Sequence, residues 1–248
     1  MNKRLIAILV SLAVVVVLVV LSCVVFTIGA ITVQPAVGLE VSPELQAKII
    51  ADSKIVLHGS IFGLSEEKAT ANIEYANPEV RVIDIERKAP NTVCINIAYR
   101  TPLIAVTNEA GDYALLDRDL KVIRIVEELQ PSDWVCLWNG TPIQGMEVGA
   151  FVPGFDWLIQ LFRSAESVGL IERRFGAFFT ELRTSETTMY LKTNTGVTLC
   201  VYKNGDTDSL LRGAYNAYLQ MSADDARRTY GYLALGENGW MWSEQAAN

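Results

Sequence analysis

The sequence predicts an α+β protein held outside a membrane by a single N-terminal transmembrane helix. A small strand–helix–helix–strand–strand unit should follow, then a mainly antiparallel β domain with helices on one face. Three observations predict this. One apolar run, Leu5 to Ile31, holds much of the hydrophobic excess of the 248 residues. Residues 26–103 switch from helical to alternating periodicity in the order of a layered α+β unit. Beyond them, short alternating segments separated by turn residues are interrupted by amphipathic helical stretches.

The apolar run is softened only by Ser11, Ser22, Cys23, Thr27 and Gly29. About 20 apolar residues at about 1.5 Å each cross a bilayer core of about 30 Å, and only a helix satisfies its own backbone there. Lys3 and Arg4 precede the run and no basic cluster follows it. The positive-inside rule therefore predicts a cytoplasmic tail over 1–4, a span over 5–25 and an extracytoplasmic remainder. The run is too long for a cleavable signal core, and Phe26 to Ala30 makes a poor cleavage site. Val20-Leu21-Ser22-Cys23 loosely matches a lipobox, but Val24, Val25 and Phe26 follow where a polar stretch is usual. An uncleaved anchor is the main reading, with lipidation of Cys23 as the alternative.

The chain is acidic, with a formal net charge of −7, and shows no Lys/Arg stripe of the kind that binds nucleic acid. Cys94, Cys136 and Cys200 lie in apolar-alternating segments, are odd in number and form no C-x-x-C pair. They read as small buried side chains rather than as a disulfide.

A first strand fits Phe26 to Gln34. Ser42-Pro43 opens a helix, a hydroxyl cap followed by proline at the first helical position, with Leu45, Ile49 and Ile50 inward. A second helix opens at Ser65, where Glu66 and Glu67 suit the positive end of its dipole. Ala69, Ile73 and Ala76 follow at helical spacing, and Asn77-Pro78 ends it. Two strands come next. Val80, Val82, Ile83 and Ile85 alternate with a shift of face between Val82 and Ile83. Val93, Ile95 and Ile97 alternate cleanly after a turn at Pro90-Asn91.

The β domain is expected over 104–235, with a terminal strand and tail over 236–248. Its first hairpin, Tyr113 to Ile123, turns around Asp117, a carboxylate suited to capping a β-turn. A strand Trp134–Trp138 should lead into a turn over Asn139-Gly140-Thr141-Pro142. A helix over Asp156–Val168 sets Trp157, Leu158, Leu161, Phe162, Ala165 and Val168 on one face, and Gly169 ends it. Strands follow over Ala177–Arg183, Thr188–Lys192 and Val197–Lys203, the last two joined by a turn at Asn194-Thr195-Gly196. A helix over Asp208–Met221 turns Leu210, Leu211, Ala214, Tyr215, Tyr218 and Leu219 inward. Tyr230–Leu235, a turn over Gly236–Gly239, and Trp240–Trp242 close the chain.

The spacing Pro78-x-Val80-x-x-Ile83-x-Ile85-x-Arg87-x-x-Pro90-x-Thr92-Val93-x-Ile95-x-Ile97-x-x-Arg100-x-Pro102 resembles the second half of a POTRA domain. More narrowly, with the hairpin around Asp117, it resembles the DivIB/FtsQ family of bacterial cell-division proteins. That resemblance implies one span, a POTRA domain and a β domain outside the membrane. Arg87, Pro90, Arg100, Pro102 and Asp117 are the motif positions it marks as structural. The chain departs at Tyr99, where the family has an acidic residue, at Leu120, where it has glycine, and in its short spacer after the span. With no glycine at 120, the turn is expected to avoid left-handed geometry.

Catalytic constellations are nearly absent. His58 is the only histidine, so no histidine-pair metal site exists, and a Ser60 beside it rarely meets it in triad geometry. No Gly-rich phosphate loop appears, and neighbouring acids such as Asp224-Asp225 or Glu127-Glu128 diverge. No cofactor is expected. Tyr230, Tyr232, Trp240 and Trp242 put four large rings near the chain end. They form either a hydrophobic lid or an edge strand that docks a partner. By resemblance, the partners are FtsB/DivIC-like and FtsL-like single-span proteins and, through them, the septal peptidoglycan synthases. The expected function is a non-enzymatic divisome scaffold. The rivals are a membrane-anchored cell-wall hydrolase and a sporulation or export component bearing a POTRA domain.

Overall fold

The structure, a computed structural model, describes residues 11–17, 25–36, 40–171, 173–203, 205–221 and 225–245. Of the expected span, residues 5–10 and 18–24, Cys23 included, lie outside the described residues. Ser11 to Val17 are helical, and Leu12 and Val14 to Val17 are 53–59% exposed. Among the described residues, no helix is long and apolar enough to cross a membrane. The chain divides into two compact units between Tyr99 and Arg100.

The smaller unit comprises β1 (Ala30–Pro35), α1 (Pro43–Asp52), α2 (Glu66–Ala76), β2 (Val80–Lys88) and β3 (Thr92–Tyr99). Ser42 Oγ accepts from Leu45 N at 3.2 Å and Ser65 Oγ from Lys68 N at 3.4 Å, so both hydroxyl caps form. Asn77 ends α2 with two bonds to the Ile73 carbonyl, from its own N–H at 2.9 Å and from Nδ2 at 3.0 Å. The sheet runs β1-β3-β2, with β1 parallel and β2 antiparallel to the central β3. Ile49 and Ile73 from the helices and Val80, Ile85, Val93, Ile95 and Ile97 from the strands form its core. Each fully buried side chain of this size contributes about 1.5–3 kcal/mol. The ladder slips between Val82 and Asp84, so Ile83 turns out and is 54% exposed while Val82 and Ile85 stay buried.

The first strand starts later than its sequence suggests. Phe26 to Ile28 pair with the loop between the helices instead: His58 N donates to Ile28 O, Ile28 N to Gly59 O and Ile61 N to Phe26 O.

The larger unit holds β4 (Ile104–Asn108), β5 (Tyr113–Leu116), β6 (Val122–Val126), β7 (Cys136–Ile143), β8 (Phe179–Thr184), β9 (Thr188–Thr193), β10 (Thr198–Tyr202), β11 (Tyr232–Gly236) and β12 (Gly239–Ser243). Its helices are α3 (Asp156–Ser167), α4 (Arg173–Phe178) and α5 (Thr207–Gln220). The nine strands form one sheet, ordered β12-β11-β10-β9-β8-β7-β4-β5-β6. Five of its eight pairings are antiparallel; β10–β11, β4–β7 and β7–β8 are parallel. Leu158, Leu161, Phe162 and Ala165 of α3 and Leu211, Ala214 and Tyr218 of α5 share one core with Val106, Leu182, Leu191 and Leu199 of the strands.

Four local expectations are corrected. Ala177 and Phe178 belong to α4 rather than β8, because Gly176 lets that short helix sit against the chain before β7. A Cβ on Gly176 would lie 1.6 Å from the Trp134 carbonyl oxygen. Asn139 to Pro142 extend β7 rather than turning, since β7 continues along β4 past an irregularity and Asn139 Nδ2 donates to Glu181 Oε1 at 2.9 Å. Leu219 points out of α5 and is 50% exposed. Leu120 does adopt left-handed geometry, with φ +62. That conformation costs a non-glycine residue about 1–2 kcal/mol, which burying a leucine offsets at about 1.5–3 kcal/mol. Leu120 is 3% exposed, and its carbonyl accepts from Val152 N at 3.0 Å.

Candidate partner-binding edge

The ends of the nine-stranded sheet differ. At one rim, Gly149 to Val152 cover the start of β6: Val122 N donates to Ala150 O, Gly149 N to Val122 O and Val152 N to Leu120 O. Arg124 then puts a charge within that strand and pairs with Asp133. The opposite rim, β12, pairs with β11 on one side, and among the described residues no strand pairs with its other side. Alternate backbone N–H and C=O groups of an antiparallel strand point away from its neighbour. The residues Gly239-Trp240-Met241-Trp242-Ser243 carry no charge, the usual protection of a bare edge.

The register decides which rings face where. Leu233 lies opposite Trp242 and Leu235 opposite Trp240, while Tyr232 lies opposite Ser243. Leu233 is in the core with Trp240 and Trp242 packed against it, so both indoles turn toward the helices. A Cβ on Gly213 of α5 would lie 2.5 Å from Trp240 Nε1, so that indole rests on bare helix backbone. Trp242 Nε1 donates to Tyr230 O at 3.0 Å, and the two rings meet edge-on at 5.2 Å. Gly231, with φ +85, gives Trp242 the room, since a Cβ there would lie 2.7 Å from its Nε1. The structure thus brings Tyr230 and Trp242 together. Trp240 and Trp242 rivet β12 to the helix side, and half-buried Tyr232 lies on the opposite face.

Sequence reasoning missed Gly213, Gly231 and Arg228. A glycine inside a helix, unfavourable by about 1 kcal/mol, was the available signal for the first. Arg228 holds the turn before β11, its guanidinium 4.8 Å above the Tyr218 ring and its Nη1 donating to Met221 O at 3.1 Å.

The motif positions fall into the two units. Arg87, on β2, donates to Leu64 O at 2.9 Å and pairs with Glu66 at 2.8 Å on the surface; Pro90 sits in the β2–β3 turn. Arg100 and Asp117 form a buried ion pair, their side chains 4% and 3% exposed, and half-buried Pro102 precedes β4. Asp117 Oδ1 also accepts from Asp119 N and Lys121 N, both at 2.9 Å, which is the turn cap its sequence position implied.

Cys94, Cys136 and Cys200 are buried free thiols. Burial pushes the Cys200 thiol up from 9.0 to about 11 and raises that of Cys136, where Glu181 adds to the effect. A raised folded-state value makes the protonated thiol a stabilising feature below the unfolded value, lost as pH climbs through the folded one. Stability toward denaturant should therefore decline as pH rises from 9.0 toward about 11. Cys200→Ala should flatten that decline, and an unchanged slope would contradict the assignment. Among the described residues, no group of three or more His, Cys, Asp or Glu could hold a metal ion.

The smaller unit's topology, two helices packed on a β1-β3-β2 sheet, defines a class, and comparison agrees. Residues 45–98 match the family described as POTRA domain, FtsQ-type. The match covers 54 of the 248 residues, all within the smaller unit. No curated protein matches the chain.

Proposed function

We propose that this protein is a non-enzymatic, membrane-anchored scaffold of the bacterial divisome, whose larger unit captures partner strands on β12. The apolar run over 5–25 anchors it in the cytoplasmic membrane, N-terminus inside and both units outside, at the septum. Its partners are FtsB/DivIC-like and FtsL-like single-span proteins, through which it is linked to the septal peptidoglycan synthases. The observation that carries the capture reading is the bare, uncharged rim at β12, set against the covered and charged rim at β6. A strand added there gains main-chain hydrogen bonds. Confinement of both partners to one membrane raises their effective concentration, so a modest interface suffices.

Met241 provides the test, because it is 51% exposed and lies across from Ala234 on the face away from the helices. Met241→Lys should leave thermal unfolding of the full-length protein unchanged. It should weaken capture of candidate partner ectodomains about tenfold, equivalent to about 1.4 kcal/mol. Unaltered capture would remove β12 from the account. Trp240 and Trp242 suit this test less well, since their indoles also hold the hairpin down.

A further inference from the structure

The loop between α1 and α2 exposes apolar side chains that no core needs. Val56 is 71% exposed, Leu57 50% and Phe62 69%. They are stapled to the point where the chain enters the folded unit. The backbone bonds joining 26–28 to 58–61 put the loop beside Phe26, and the Phe26 and Phe62 rings lie 5.3 Å apart. Val25, one residue earlier, is helical and 47% exposed. The stretch Lys54-Ile-Val-Leu-His-Gly-Ser-Ile-Phe-Gly63 contains no acidic residue in a chain carrying 28 of them, and Lys54 supplies a cation.

We infer that this loop docks on the lipid surface next to the anchor, seating Val56, Leu57 and Phe62 in the headgroup layer. The inference rests on the anchor reading of residues 5–25. A bilayer has a hydrocarbon core of about 30 Å within a total of about 40–45 Å, which leaves roughly 5–8 Å of headgroup on each side. A span that ends at Val25 puts Phe26 at the start of that layer. A ring in contact with Phe26 then cannot stand clear of it. Exposed apolar clusters mark interaction surfaces, and Phe and Leu side chains on an interfacial apolar face bury about 5–10 Å into the headgroup–acyl boundary. Lys54 and the lack of carboxylates suit an anionic leaflet. Docking gives the smaller unit a second attachment beyond its tether and so restricts its tilt.

Depth measurement on the full-length protein tests this. A nitroxide is placed at Leu57→Cys, Leu12→Cys or Tyr75→Cys in a Cys23→Ala background; Cys94, Cys136 and Cys200 are buried and spared. The protein is reconstituted in phosphatidylethanolamine–phosphatidylglycerol vesicles, and collision with oxygen is compared with collision with a water-soluble nickel complex. Tyr75 is 84% exposed at the far end of α2, so its label should report water. The expected result is lipid depth at 12 and a several-fold higher oxygen-to-nickel ratio at 57 than at 75. Lipid depth at 12 with an aqueous label at 57 overturns the docking and leaves the anchor standing. An aqueous label at 12 overturns the anchor, and the docking with it.

Discussion

Arg100→Ala is expected to cost the larger unit about 3–5 kcal/mol, the usual consequence of removing one partner of a buried ion pair. The loss comes less from the missing attraction than from the charge left behind. Asp117 is 2% exposed and caps the β5–β6 turn through Asp119 N and Lys121 N, so it cannot swing out to water without unmaking the turn. Leu120 would lose support as well, since its N–H donates to the Asp117 carbonyl at 3.1 Å while its φ is +62. Asp117→Asn should be milder. Asparagine retains an oxygen for the two backbone donors, and Arg100 still has Asp119 Oδ2 at 3.4 Å. Chemical denaturation of the three proteins should rank them wild type, Asp117→Asn, Arg100→Ala in falling stability. A loss below about 1 kcal/mol for Arg100→Ala, the range of exposed pairs, would show that the pair is not insulated from water.

Gly176→Ala should cost about 3 kcal/mol, although it adds a single methyl group. Overpacking a close-fitting site costs about 1–3 kcal/mol and occasionally more, and here the opposing atoms are backbone. The added Cβ would lie 1.6 Å from the Trp134 carbonyl oxygen and 2.8 Å from the Val135 Cα. Neither can rotate away, so α4 must lift from the start of β7, carrying the buried Phe175 with it. The gain of about 1 kcal/mol in helix propensity offsets only part of this. Gly63→Ala is the control: its nearest neighbour would be Ser60 Cβ at 3.8 Å, and stability should be nearly unchanged. Equal midpoints for wild type and Gly176→Ala would mean that the helix has room it is not shown to have.

These two positions indicate what was legible in the sequence. Features set by local chemistry were readable: the Ser42 and Ser65 caps, the turn at Gly169, the apolar stripe of α3 and the slip of face at Ile83. Each depends on residues a few positions apart. Features set by distant atoms were not. Gly176 is a helix-weakening residue until Trp134 is seen above it. Leu120 looks incompatible with a left-handed turn until its burial is known. Phe26 to Ile28 alternate like a strand, yet their partner is the loop at 58–61, brought there by the packing of α1 and α2. The terminal rings were half legible. Their density near the chain end was visible, but only the β11–β12 register separates the two indoles that hold the strand from the tyrosine across the sheet.

The closed start of β6 has a consequence for counting. If the covered start and the charge of β6 leave β12 as the rim that accepts a strand among the described residues, the sheet offers one vacancy, and recruits of this kind would take turns. Stoichiometry would then be capped at a single guest per scaffold. On the proposed reading, two rival strands would displace each other in proportion to their local abundance, and the five-residue β12 would act as a selector as well as a seat.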